Sequence, residues 1–286
     1  MVSTETAEWM IAMPAPTMHL RQMNAADLET AVALSSLAGW NQTVQDWSML
    51  MKLAPEGCFG IECDGRLVST TTLLCYGQRL AWIGMVLTNP EYRGRGFARR
   101  LLTHALDYAD SLAIETIKLD ATDQGRPLYQ SFGFQEEQAV ERWSRPGVSE
   151  SHAFRNSSQF KDYLRDLDLE AFGADRSIML GELAKRSEVQ VESKAYLFTR
   201  AGRTTAYLGP CVARDPFVAG VLITKAVNAL PRVSLFWDLL PSNRDAVGLA
   251  AELGFTRQRV LTRMARGKPL RGRDDMIYAI AGFELG

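Results

Sequence analysis

The sequence predicts an α/β chain with a mixed α+β sheet, arranged as two units of one domain's size each, residues 1–148 and 149–286. Three observations carry the prediction. Strand-like apolar stretches alternate with amphipathic helical stretches along the whole chain. Pro146-Gly147 and the polar run from Ser149 to Ser158 read as a linker near the middle. The halves also differ in charge: residues 1–150 hold 12 Lys/Arg and 18 Asp/Glu, whereas residues 151–286 hold 20 and 15.

In the first half, Met18 to Met23 alternates and reads as a strand. Asn24 can cap a helix whose apolar positions Leu28, Ala31, Leu34 and Leu37 recur at helical spacing. Trp40-Asn41-Gln42 interrupts it, and Thr43 to Leu53 forms a second helix that stops near Pro55. Cys58 to Glu62 is a strand, and Asp64-Gly65 turns the chain into a partner strand, Leu67 to Cys75. Gly77 turns it again into Trp82 to Leu87. Phe97 to Leu112 is a long helix with Leu101, Leu102, Ala105, Leu106 and Ala109 on one face. Ile114 to Ala121 contains a strand, Gly125 to Phe132 a short helix ended by Gly133, and Val140 to Trp143 the last strand.

The second half echoes this order. Helices are expected at Tyr163 to Phe172, Ile178 to Ala184, Val218 to Leu230 and Asn243 to Leu253. Strands are expected at Ala195 to Thr199, Thr204 to Leu208, Val233 to Leu239, Val260 to Met264 and Met276 to Phe283, with Ile280 to Gly286 as sheet. Leu119-Asp120 followed by Ser131-Phe132-Gly133-Phe134 parallels Trp237-Asp238 followed by Glu252-Leu253-Gly254-Phe255. Each is a strand, a helix ended by Gly-Phe, and another strand, which reads as duplication. Two unrelated units sharing a helix stop is the alternative.

Composition excludes several classes. At 47% hydrophobic and 23% charged, the chain is neither disordered nor fibrous. The longest apolar runs fall short of the ~20 residues of a membrane span. Met1 to Met13 carries Glu5 and Glu8 and no Lys or Arg, unlike a signal peptide. Cys58, Cys63, Cys75 and Cys211 form no C-x-x-C pair, and only three histidines could join them, so no metal is expected. Each cysteine sits in an apolar stretch, which fits buried reduced thiols and a cytoplasmic protein. The net charge of −1 gives no reason to expect nucleic-acid or membrane partners. The cluster Arg257, Arg259, Arg263, Arg266, Lys268, Arg271 and Arg273 reads as a solvated face or loop.

The informative segment runs from Trp82 to Leu102. A strand enters the loop Asn89-Pro90-Glu91-Tyr92-Arg93-Gly94-Arg95-Gly96, and a long helix follows. Glycines let backbone approach an oxyanion, and unpaired N–H groups at a helix start point toward it. Arg93, Arg95 and Arg99 add positive charge. Neither a G-x-G-x-x-G turn nor a G-K-[S/T] loop is present.

Arg93-x-x-Gly96-x-Ala98, set between this strand and helix and followed by Leu119 to Thr122 and Leu128 to Phe134, resembles the GNAT family of N-acetyltransferases over roughly residues 18–145. The resemblance implies acetyl-CoA as co-substrate and a primary amine as acceptor, by direct attack in a ternary complex. It implies that Met85, Val86 and Leu87 splay from the neighbouring strand and bind the pantetheine arm, with a backbone N–H near Val86 or Leu87 polarising the thioester. Gly94 to Ala98, including Phe97, would hold the pyrophosphate, aided by Arg93, Arg95 and Arg99. Tyr129 would donate a proton to the departing thiolate. Thr122 stands where many members have an Asn that touches the coenzyme. The acceptor site would lie between the first two helices, where Trp40, Asn41 and Trp47 could line a pocket and Asp46 supply charge.

No base is assigned. Glu62, Asp64, Glu91 and Asp120 are the acids nearest the motif in sequence. In the second half, Asp215-Pro216-Phe217 replaces the glycine loop and Ala250 stands in Tyr129's place, so that half reads as a degenerate GNAT-like domain. A small metabolite, an aminoglycoside-like amine or a protein amine could each be the acceptor, and a homodimer is compatible. A non-catalytic acyl-CoA-binding sensor is the alternative function.

Overall fold

The computed structural model describes residues 18–148, 154–155, 160 and 162–286. The segment Met1 to Met13 and most of the linker Ser149 to Ser158 lie outside the described residues. Among the described residues, twelve strands join one continuous mixed sheet.

The first half runs β1 (Met18–Gln22), α1 (Leu28–Leu37), α2 (Val44–Leu53), β2 (Cys58–Cys63), β3 (Arg66–Tyr76), β4 (Leu80–Thr88), α3 (Phe97–Ser111), β5 (Thr116–Ala121), α4 (Arg126–Gln130) and β6 (Gln135–Arg145). Local chemistry sets the boundaries. Asn24 and Thr43 each form a reciprocal capping box, with Asp27 and Asp46 respectively. The second half runs α5 (Arg165–Phe172), α6 (Ser177–Ala184), β7 (Glu188–Glu192), β8 (Ala195–Arg200), β9 (Ala206–Val212), α7 (Pro216–Ala229), β10 (Leu235–Leu239), α8 (Arg244–Glu252), β11 (Thr256–Gly267) and β12 (Ile277–Ala279).

Helices cover both faces. α1, α2, α5 and α6 share one hydrophobic core that spans the two halves. On the other face α3 and α4 cover the first half, and α7 and α8 the second. β8 is buried on both sides: Ala195 and Leu197 face α7, whereas Tyr196 and Phe198 face the shared core. That explains its unbroken apolar run.

The halves do not form separate sheets. The strand order is β1-β2-β3-β4-β5-β11-β6-β10-β9-β8-β7, with β12 on β9. β11, from the second half, lies between β5 and β6. β6, from the first half, lies between β11 and β10. Each half therefore completes the other's sheet. Two buried ion pairs lock the exchange. Arg263 on β11 donates twice to Asp120 on β5, at 2.9 and 3.0 Å. Arg142 on β6 donates twice to Asp238 on β10, at 2.7 and 2.6 Å.

Several expectations need correction. β6 and β11 are longer than their apolar centres suggested, because their polar residues pair with each other across the exchange. β7 went unread, since its alternation of Glu and Val is short. Ile280 to Gly286 is not a strand. Gly282, at φ 150°, folds it into a turn in which the Leu285 and Gly286 N–H groups both donate to the Gly282 carbonyl. The arginine cluster is not uniformly solvated either, since Arg263 is 5% exposed.

Arg263→Ala should lower unfolding free energy by about 3–5 kcal/mol, because Asp120 is left buried without its partner. Urea unfolding of the intact chain measures this, and a loss under about 1 kcal/mol would show that the pair does not hold β11 in place.

Candidate active site

β4 pairs with β5 in parallel at only two positions, Ala81–Ile117 and Trp82–Lys118. Beyond Trp82 the strands part. The β3–β4 register slips at the same level: Thr70 faces Leu87 but Thr72 faces Gly84, so Met85 and Val86 together oppose Thr71. Met85 takes up this bulge at φ 51°, a costly conformation for a non-glycine residue. The Thr70 hydroxyl donates to the Met85 carbonyl at 2.8 Å and secures it.

A cavity open to solvent on one side fills the gap. Met85, Val86, Thr122 and Tyr129 of the expected site line it, as does Trp40. The Tyr129 ring packs on Phe134 and is 8% exposed. Its hydroxyl has no hydrogen-bond partner among the described residues, and burial pushes its pKa well above the ordinary tyrosine value. The Thr122 hydroxyl oxygen accepts from the Gly125 N–H at 3.2 Å, shaping the turn into α4.

The glycine loop stands beside the cavity at the start of α3. Gly94 and Gly96 lie at φ 75° and 78°, and Gly96 is the N-cap. No side chain caps this helix, so its first N–H groups face outward. A Cβ on either glycine would meet nothing within 4 Å, which leaves open space over the loop. Arg93, Arg95 and Arg99 are exposed around it. Arg95 lies over the Tyr92 ring at 4.8 Å, and Arg99 reaches Ser131 at the end of α4 at 3.1 Å. Phe97 is buried, stacked on Tyr92, and anchors the loop, while Ala98 is half-buried. Leu87 is buried and does not line the cavity; its carbonyl accepts from the Ser69 hydroxyl at 2.7 Å.

Two expected acceptor-site residues lie elsewhere. Trp47 is fully buried between α1 and α2, with its indole N–H donating to Ser35 Oγ at 2.8 Å. Asn41 holds the 202–205 turn of the second half: Oδ1 accepts from the Thr204 and Thr205 N–H groups, and Nδ2 donates to the Thr205 carbonyl. Asp46 is turned away into an ion pair with Arg186 and the cap of α2. Three of the acids near the motif are also occupied or remote. Glu62 pairs with Arg21 and Asp120 with Arg263, while Asp64 sits in a turn at φ 49°.

The second half supplies the remaining wall. Phe283 and Glu284 come from the 280–286 turn, and Arg259 and Leu261 from β11. The turn is seated on β3 and β4: the Tyr76 hydroxyl donates to the Leu285 carbonyl at 2.6 Å, and the Trp82 indole N–H to the Phe283 carbonyl at 2.8 Å. Gly84 is required here, since a Cβ would come within 3.0 Å of Glu284 Cα. Glu284 is 6% exposed and accepts from Gln42 Nε2 at 3.1 Å. Burial and the nearby Asp46 carboxylate raise its pKa, against the Arg200 and Arg142 cations, which lower it. A lone acid inside the apolar run Ile280 to Leu285 was the sequence signal for it. Gln42 and Arg259 carried no such signal.

The second half's counterpart of the glycine loop is closed. The Asp215 carboxylate accepts from the Phe217 N–H, and Pro216 opens α7 without an N–H of its own. Ala250, in the place of Tyr129, is fully buried.

A family model described as Acetyltransferase (GNAT) family matches residues 23–134, and one described as Acetyltransferase (GNAT) domain matches residues 164–279. The chain is 30% identical over 175 residues to the uncharacterized N-acetyltransferase YitH of Bacillus subtilis strain 168, spanning 57% of this chain and 61% of that protein. It is 26% identical over 115 residues to an uncharacterized N-acetyltransferase of Methanocaldococcus jannaschii, spanning 37% and 50%. The chain thus matches between half and about three fifths of these relatives' length. A crystal structure of a candidate acetyltransferase from Pyrococcus horikoshii shares the fold at a TM-score of 0.82 and 22% identity, over 94% of this chain and 96% of that one. A tandem GNAT protein from the clavulanic acid biosynthesis pathway shares it at 0.59 and 15%, over 88% and 99%. Both halves are matched in their own right, and the glycine loop and parted strands fall inside the first match: the chain belongs to the GNAT acetyltransferase family, as two such domains in tandem.

Proposed function

We propose that the protein transfers an acetyl group from acetyl-CoA to a primary amine, with the first half binding the donor and the second closing the acceptor site. The observation that carries this reading is the juxtaposition in one cavity of a bulged strand edge, an unpartnered tyrosine hydroxyl and a buried carboxylate. The Gly94–Gly96 loop beside it fits a diphosphate, because its backbone is open and its helix start is uncapped. Arg93, Arg95 and Arg99 add charge there. Donor contacts along Met85, Val86 and Leu87 follow from the free β5-facing edge of β4. Acetyl-CoA supplies an activated acyl group on a good leaving group.

The chain's own residues then have distinct tasks. Glu284 takes the proton from the attacking nitrogen. Its raised pKa makes it a stronger base than an exposed glutamate. A β4 backbone N–H stabilises the developing oxyanion. Tyr129 donates its hydroxyl hydrogen toward the departing sulfur. A thiol near pKa 8.5 is a weaker base than a phenolate held above 10, so Tyr129 stabilises the thiolate by a hydrogen bond and keeps its proton. The new N–C bond replaces the C–S bond; coenzyme A leaves as the thiolate and takes up a proton from solvent, to which Glu284 returns the one it accepted.

Calorimetric titration with acetyl-CoA should give one site per chain, weakened at least tenfold in Gly96→Asp, which places a Cβ at φ 78° and a negative charge over the helix start. No binding in the wild type would overturn the reading, and two equivalent sites would show that the second half also holds donor.

Glu284→Gln should cut kcat/KM by about 10²–10⁴ and remove the acid limb of its pH profile. Its effect on stability has the opposite sign. Glu284 binds its proton more tightly folded than unfolded, so its stabilising contribution is present below the ordinary glutamate pKa and is lost as pH rises through the raised value. Above that window Glu284→Gln should therefore melt higher than wild type, and at pH 4 the two should converge. A variant that melts lower at pH 8, or one that keeps the acid limb, would remove Glu284 from this role.

A further inference from the structure

The cavity holds an arginine that forms no ion pair among the described residues. The other buried guanidiniums around it are occupied: Arg142 by Asp238, Arg263 by Asp120, and Arg200 by the Gly209 and Ala281 carbonyls. Arg259 lines the cavity and makes no hydrogen bond or ion pair among the described residues. It stands over the Phe283 ring at 5.5 Å, and the Asp238 carboxylate, already paired with Arg142, acts on it only from beyond ion-pair distance. It lies opposite Arg142 in the β6–β11 register, so a like charge faces it.

Its placement is built, not incidental. Between Arg257 and Arg259 the β11 register slips by one residue: Arg257 faces Trp143 while Arg259 faces Arg142. Residues two apart normally share a face of a strand. The extra residue, Gln258, puts them on opposite faces. Arg257 pairs with Glu141 at 3.0 Å on one side, and Arg259 enters the cavity on the other. Without the bulge, both would share one face.

Two hydrogen-bond acceptors lie in the same cavity. Glu284 adjoins Phe283 in sequence, and the Gln42 side-chain oxygen is buried with no partner among the described residues. The cavity therefore carries acceptors suited to an ammonium group and a guanidinium suited to an anion. The half-buried guanidinium offers the fork that binds a carboxylate in two places.

Resting on the acetyl-transfer reading above, we infer that the acceptor is a small amino carboxylate, an amine that also carries a carboxylate bound by Arg259. A plain amine would leave Arg259 unneutralised in the closed complex. A polycationic amine would meet Arg259 as a like charge.

The test compares α- to ω-amino acids, one to five carbons between the two groups, with their carboxamides. Acetyl-CoA-dependent thiol release is followed for the wild type and for Arg259→Gln. The preferred amino acid should exceed its amide by about 10- to 100-fold in kcat/KM, the size of a charge-assisted hydrogen bond. Arg259→Gln should remove that preference mainly through KM. It should leave acetyl-CoA affinity unchanged and should not lower the melting temperature, since Arg259 holds no structural partner.

Equal turnover of acids and amides would overturn this inference alone. So would a preference that survives Arg259→Gln, or a loss of acetyl-CoA affinity in that variant, which would assign Arg259 to the donor. Acetyl-CoA binding without turnover of any amine or amide would overturn the transfer reading, and the acceptor class with it.

Discussion

The site depends on the insertion of β11 between β5 and β6. A sheet has room for a strand wherever two neighbours leave their edges unpaired, and each half of this chain leaves such a place for the other. The insertion buries two Arg–Asp pairs in the sheet, each bidentate. Buried ion pairs contribute little net stability against an apolar alternative. They do penalise any register that leaves one partner alone. Arg263 directly faces Asp120, and a one-residue slip would send it to the other face of the sheet. Register is thus fixed by charge where the residues around it are too polar for hydrophobic patterning to fix it.

That register shapes the cavity wall. β11 brings Arg259 and Leu261 to the gap that β4 and β5 leave open. The chain beyond it returns through β12 to the 280–286 turn, which Trp82 and Tyr76 hold against the first half. Trp82 links the two devices, since Arg263 lies over its ring at 4.7 Å while its indole N–H holds the turn. The glycine loop belongs wholly to the first half. The cavity wall is made of both. A degenerate second domain is therefore a structural part of the cavity, even with its own anion loop closed by Asp215 and Pro216.

The cavity also carries the local conflicts that mark working sites. Met85 is held at positive φ, Glu284 is a buried acid, and among the described residues the Tyr129 hydroxyl has no hydrogen-bond partner and Arg259 no ion pair. Each costs stability, and each sits within one cavity. Elsewhere the same residue types are satisfied: Asp46 by Arg186, Asp168 by Arg176 and the Tyr196 hydroxyl, Glu62 by Arg21.

The sequence by itself determined the local elements and the glycine loop. Capping boxes at Asn24 and Thr43, the turn at Asp64-Gly65 and the open helix start at Gly96 all act within a few residues, so composition and spacing suffice to read them. The family resemblance followed from that loop and its neighbours. Tertiary structure decided the rest. Trp47 and Asn41 looked like pocket residues because they border the loop between α1 and α2. Packing sent one into the core and the other to the second half. Glu284 and Arg259 came to the cavity from more than 170 residues beyond Met85 in the chain. Their arrival depends on a strand exchange and a single-residue bulge, and neither leaves a local pattern, because both are set by pairing between segments far apart in sequence.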